Sequence, residues 1–170
     1  MRKPARWPGP EEKARPLPEL SLPELKAALP RAGRLLGLDL GTKTIGLAIS
    51  DGALMVASPI ETIKRTKFTA DAARLLAIAD ERKIAGFVIG LPVNMDGTEG
   101  PRCQSTRQFV RNLLGIRDVA IAYWDERLST AAVQRAMIDA DVTRAKRAKV
   151  VDQMAAGYIL QGALDFLRRN

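Results

Sequence analysis

The chain has no histidine and a single cysteine, Cys103, among its 170 residues. Without histidine, Ser-His-Asp and Cys-His catalysis, HExxH zinc chemistry and a histidine general base are all excluded. One cysteine forms no internal disulfide and no multi-cysteine zinc site. Hydrolytic chemistry must therefore rest on carboxylates, lysines or a metal held by oxygen. Apolar runs fall short of the roughly 18 residues that span a bilayer. The start of the chain, "MRKPARWPGPEEKARPLPEL", lacks the apolar stretch of a secretory signal and carries acids that transit peptides avoid. A cytoplasmic location is expected.

What is present is 46% hydrophobic residues and a net charge of +8. The first suits one globular domain with a real core, and the second points to a polyanionic partner, here nucleic acid. Residues 1–33 read as a Pro-rich, basic and flexible extension ahead of a domain over 34–170. Within that extension, Pro23 is placed to open a short helix, "PELKAAL", capped by Ser21 or entered from Leu22.

From Arg34 the pattern is regular. "RLLGLDL" and "KTIGLAIS" read as antiparallel strands about the turn Gly41-Thr42, and "VASPIETI" as a third strand whose Pro59 favours an edge. "TADAARLLAIADERK" is helical, "IAGFVIGLP" a short apolar strand, and a helix follows the polar loop "PVNMDGTEGPR". "DVAIAYWDE" is a fifth strand. "STAAVQRAMIDA" begins a helix, and a long helix closes the chain. This order implies an α/β fold, a mixed sheet with helices on its faces.

Three acidic positions stand out against this frame. Asp39 shares a strand face with Leu35 and Gly37, while Leu36, Leu38 and Leu40 form the aliphatic face. An ionised carboxylate in such a strand needs a cation, a donor or a metal. Asp125 and Glu126 end the fifth strand, where ligand sites of open sheets lie. Apolar residues there occupy both parities, so alternation does not choose between the two acids. Asp152 heads the small apolar stripe Ala148, Ala155, Ala156, Ile159 and Ala163 of the last helix, which places it toward a shared pocket at the sheet. Asp51 is expected to be a strand-end or turn residue. With Asp39 opposite roughly Ile45, it would lie about 20 Å away along the partner strand.

Oxygen-only acids from two strands and a helix suit Mg²⁺ or Mn²⁺. A pair of such ions activates a water and stabilises the leaving oxygen of a phosphodiester without any histidine. The expected phosphate contacts are Lys43 in the turn, Arg127, the Arg107–Arg111 pair, and the cluster Arg144, Lys146, Arg147 and Lys149 just before Asp152.

Four stretches, "LGLDLGTKTIGLAISD", "GFVIGLPVNMDGTEG", "DERLSTAAVQRAM" and "VVDQMAAGYILQGALD", together resemble the YqgF/RuvX family of bacterial RNase H-like proteins. Members are described as candidate Holliday junction resolvases or as nucleases for the 5′ end of precursor 16S ribosomal RNA. The resemblance implies a ribonuclease H-like fold of five strands, the first three antiparallel. It places the family's acids on Asp39, on the Asp125-Glu126 pair with Glu126 favoured, and on Asp152, with Asp125 a further metal-ligand candidate. Lys43-Thr44 stands where members often carry Lys-Arg, so one basic contact differs. The reading is a metal-dependent nuclease acting on precursor 16S RNA, as a monomer or homodimer. Four-way DNA junctions and a non-catalytic ribosome-assembly role are the alternatives.

Overall fold

Bulky leucines and isoleucines alternate with smaller residues in "RLLGLDL" and "TIGLAIS", which sorts them between two faces of a sheet that is buried on both. A computed structural model describes residues 19–129 and 144–170, with side chains of the last helix from Met154 onward. The helix expected from "STAAVQRAMIDA" and residues 1–18 lie outside the described residues. Strands β1 (Arg34–Leu40), β2 (Thr44–Ser50) and β3 (Ala57–Lys64) pair antiparallel. Strands β4 (Ile84–Leu91) and β5 (Ile121–Asp125) add in parallel on the other side of β1. The sheet order is β3-β2-β1-β4-β5. This is the α/β, ribonuclease H-like arrangement expected, a five-stranded mixed sheet with its first three strands antiparallel.

Each face of the sheet carries its own core. Leu36, Leu38, Leu40, Ile45 and Leu47 pack against helices α2 (Phe68–Glu81) and α3 (Pro101–Ile116). Leu35, Ala48, Val88, Ala122 and Trp124 pack against the last helix, α4 (Arg144–Arg169), through Ala156, Ile159, Leu160 and Ala163. The two parities of β1 thus meet two different layers, as the alternation predicts. Glycine lets α4 sit close: a Cβ on Gly37 would lie 2.7 Å from Leu160 Cβ.

The short helix expected within the extension is present. Residues 19–33 are folded onto the sheet, with a bridge between Leu20 and Ala122 and helix α1 (Leu22–Ala28). Ser21 caps α1 and Glu24 returns the bond to the Ser21 N–H at 2.7 Å, a full capping box. Leu25 is fully buried and lies where a Cβ on Gly86 would stand. Proline and charge dominate the composition, but the Leu22/Leu25 spacing gives this helix one apolar side. Leu25→Ala is expected to cost about 2–4 kcal/mol in a denaturant melt. A change under about 0.5 kcal/mol, as for an exposed site, would mean that α1 does not stay docked.

No helix among the described residues is long and apolar enough to cross a membrane.

Candidate active site at the carboxyl end of β1

The β1–β2 turn follows Asp39 immediately and is tightly held. The Gly41 N–H donates to the Thr44 carbonyl at 2.9 Å, leaving Thr42 and Lys43 at the tip, both exposed. Asp39 therefore pairs with Gly46 and not with Ile45, one residue later than the sequence reading. Asp51 is a turn residue, accepting N–H bonds from Met55 at 2.7 Å and Val56 at 3.1 Å. Those bonds hold its carboxyl below the usual range. It lies five residues beyond Gly46, about 17 Å along β2, and takes no part in the site.

Parity and register place two acids together. Gly37 faces Leu160 and Ala156 of α4, so Asp39, two residues on, points to the same side of the sheet. Leu38 pairs with Ile89 in β4, and one further step brings Asp39 beside Gly90. A Cβ on Gly90 would stand 2.6 Å from Glu126 Oε1 and 2.5 Å from Ile159 Cδ1. The Glu126 carboxylate thus lies over Gly90, next to Asp39. Both acids are half-buried and both are engaged with neighbouring groups.

The course of α4 places the backbone of residue 152. The Ala57 N–H donates to Gln161 Oε1 at 2.9 Å, and Gly157 sits over Pro59. Moving toward the start of the helix therefore moves toward the end of β3. Residue 152, five positions before Gly157, lies about 7–8 Å further along, level with the row Asp39–Gly46–Thr62. The side chains of Asp152, Arg144, Lys146, Arg147 and Lys149 lie outside the described residues. Ala155, Ala156, Ile159 and Ala163, the rest of the stripe assigned to Asp152, are all buried.

Asp125 points the other way. Ile121 and Tyr123 join the α2/α3 core, Ala122 and Trp124 the α4 core, so odd positions of β5 face away from Asp39. Asp125 instead accepts from Arg127 Nη2 at 2.6 Å and from the Arg127 N–H at 3.0 Å. Arg127 holds the Asp125 carboxyl below its usual value.

The remaining cations divide sharply. Arg127 is occupied by Asp125 and lies against Gly97 of the β4–α3 loop, whose φ of +88° favours glycine. That loop is braced by Asn94 N–H to Thr98 O at 2.9 Å and by Thr98 Oγ1 to Asp96 Oδ1 at 2.6 Å. Arg107, expected at phosphate, instead bridges Glu99 at 2.6 Å and Glu19 at 3.1 Å and stacks 4.8 Å from the Tyr123 ring. Lys43 remains exposed. Sequence reasoning missed Arg65, which donates through Nη1 to the Gly41 carbonyl at 2.7 Å, while its N–H donates to the Lys43 carbonyl at 2.9 Å. It lies in the run "KRTK", which signals charge but not this clasp.

Among the described residues no group of three metal-ligating side chains occurs. The pair that does converge supplies only carboxylate oxygens, and Cys103 is buried. Such hard donors fit a divalent ion of the Mg²⁺ or Mn²⁺ kind.

Comparison with known proteins now bears on this geometry. A family model described as RuvX, Holliday junction resolvase, matches residues 33–166. A candidate pre-16S rRNA nuclease of Cereibacter sphaeroides is 63% identical over 147 residues, covering 86% of this chain and 92% of that protein. One from Bradyrhizobium sp. is 62% identical over 152 residues, covering 89% and 94%. The structure of T. thermophilus RuvC in complex with Holliday junction substrate superposes with a TM-score of 0.50 at 11% identity, covering 79% of this chain and 96% of that one. That last likeness establishes the fold.

Proposed function

The chain belongs to the RuvX family of nucleases, and on that premise we propose that it trims the 5′ end of precursor 16S ribosomal RNA, with Asp39, Glu126 and Asp152 as its metal-holding acids. The observation that carries this reading is the meeting of Asp39 and Glu126 over Gly90, level with residue 152 of α4. Clustered carboxylates repel phosphate, so a nucleic-acid surface gains from them only when cations neutralise them. Bound Mg²⁺ or Mn²⁺ would supply an activated water and charge stabilisation at the phosphodiester.

The protein's own residues do the rest. Asp39 projects from β1 and Glu126 directly follows β5, in a sheet buried on both faces, which fixes their spacing before substrate arrives. Lys43 reaches out from the turn, and Arg144, Lys146, Arg147 and Lys149 precede Asp152 along α4, so phosphates approach from both flanks of the acids. Arg127 ties the β4–α3 loop to the end of β5 and acts on substrate through that loop. In this reading the nuclease domain runs from Arg34 to the end of the chain. The names of the curated relatives favour RNA over junction DNA.

The test uses purified full-length protein with Mg²⁺ or Mn²⁺ and two labelled substrates, a 5′-extended 16S precursor fragment and a four-way DNA junction. Cleavage of the RNA is the expected result. Cleavage of the junction alone would establish resolvase activity instead. Binding of RNA without cleavage of either substrate would leave a ribosome-assembly role.

A further inference from the structure

At the end of the β1–β2 hairpin, beyond the acids, Lys43 is joined by two lysines, Lys64 and Lys67, with no role assigned above. Thr44 pairs with Lys64 at the close of β3, and Arg65 faces Lys43 across the turn. Lys67 stands at the N-cap of α2. Lys43, Lys64 and Lys67 are all exposed. Elsewhere Arg74, Arg107, Arg117, Arg127 and Arg168 each pair with a carboxylate. Among the described residues none of these three lysines does.

Arg65 is the exception within the run, and it explains the arrangement. Its guanidinium turns inward to the Gly41 carbonyl, 5.8 Å from the Phe109 ring and 3.9 Å from the buried Asp71. Asp71 also accepts from the Thr66 N–H at 3.0 Å. One cation thus staples the turn while its neighbours are left facing water. Three unpaired ammonium groups on so short a stretch repel one another, and a polyanion relieves that repulsion. Lysine suits phosphate here because its mobile ammonium meets a backbone as a point charge.

Direction matters as much as charge. Ile63 packs in the α2/α3 core, so Lys64 projects from the opposite face, the one that carries Asp39. Two strand spacings and two residues separate Lys64 from Asp39, about 12 Å. Resting on the nuclease reading above, we propose that Lys64 and Lys67, continuing from Lys43, form a phosphate-binding ledge. This ledge carries the RNA strand away from the acids toward the β3 edge.

The test is the Lys64→Gln, Lys67→Gln double variant, with Lys64→Arg, Lys67→Arg alongside. Anisotropy of a labelled single-stranded 16S precursor fragment in EDTA, over 50–200 mM KCl, reports binding without cleavage. Glutamine at both positions is expected to weaken binding about tenfold and to flatten the log–log salt slope by about 1.4, roughly 0.7 per lost contact. Arginine restores binding, and melting temperatures stay together. Wild-type protein that binds and cleaves the RNA while the glutamine variant matches it in affinity and slope would overturn the ledge alone. A wild-type protein that neither binds the RNA in EDTA nor cleaves it with Mg²⁺ overturns the ledge and the RNA-nuclease reading together. A loss confined to the four-way DNA junction overturns the assignment to RNA.

Discussion

Asp39→Asn lowers kcat/KM for the 16S precursor by at least about 10³-fold, about 4 kcal/mol of transition-state stabilisation, while the fold survives. Asparagine keeps the shape and removes the charge. The side chain is half-buried on the α4 face of β1, beside Gly90 and the Glu126 carboxylate that overlies it. Relief of the repulsion from Glu126 is set against weakening of the contacts that Asp39 makes with its neighbours, so the metal-free melting temperature moves little. The decisive readout is the response to Mg²⁺. A ligand that binds only the folded state raises its stability by mass action, so wild-type protein melts higher with Mg²⁺ than with EDTA. The variant loses most of that increment. Undiminished cleavage by Asp39→Asn would remove this carboxylate from the reaction. A lost Mg²⁺ increment with cleavage intact would separate ion binding from catalysis.

Much of this site is legible because strand parity is a local property. The alternation of Leu36, Leu38 and Leu40 against Gly37 and Asp39 assigns the faces of β1 without tertiary information. The stripe from Ala155 to Ala163 does the same for α4, and all of its described members are buried. Where a strand is buried on both faces the signal vanishes. Ile121 and Tyr123 meet one core and Ala122 and Trp124 the other, so β5 carries apolar residues at every position. Alternation does not separate Glu126 from Asp125; the family resemblance favours Glu126, and the packed sheet turns Asp125 away to Arg127. Charge is likewise visible in sequence while its partner is not. Arg107 looks free beside Arg111 until Glu19, 88 positions earlier in the chain, closes on it. Helix α1 is signalled by Ser21 and Pro23, but its docking is hidden for a related reason: its burial rests on Leu22 and Leu25 meeting a surface formed by β4, β5 and α4.

Gly90→Ala tests whether the sheet positions Glu126, and it should cost about 10²-fold in kcat/KM with only a modest loss of stability. An added Cβ would meet Glu126 Oε1 at 2.6 Å and Ile159 Cδ1 at 2.5 Å, both the far ends of side chains. Each can yield, so overpacking costs about 1–3 kcal/mol and the protein still folds. The carboxylate, however, must retreat from Asp39, and a shift near 1 Å in a catalytic group costs about 10²-fold. Gly86→Ala is the matched control. It lies on the same strand and face, four residues earlier, and its Cβ would meet Leu25 Cδ1 at 2.8 Å and Leu35 Cδ2 at 3.1 Å. That clash falls against α1, about 13 Å from Gly90, so stability drops comparably while kcat/KM stays within about threefold of wild type, under 1 kcal/mol. Equal losses of activity in both variants would mean that strand packing in general limits the enzyme. A loss at Gly90 alone, rescued in part by Ile159→Val, would still leave the displaced acid to explain the remainder. Relieving the contact with Ile159 frees the new methyl on one side only, and Glu126 stays crowded on the other.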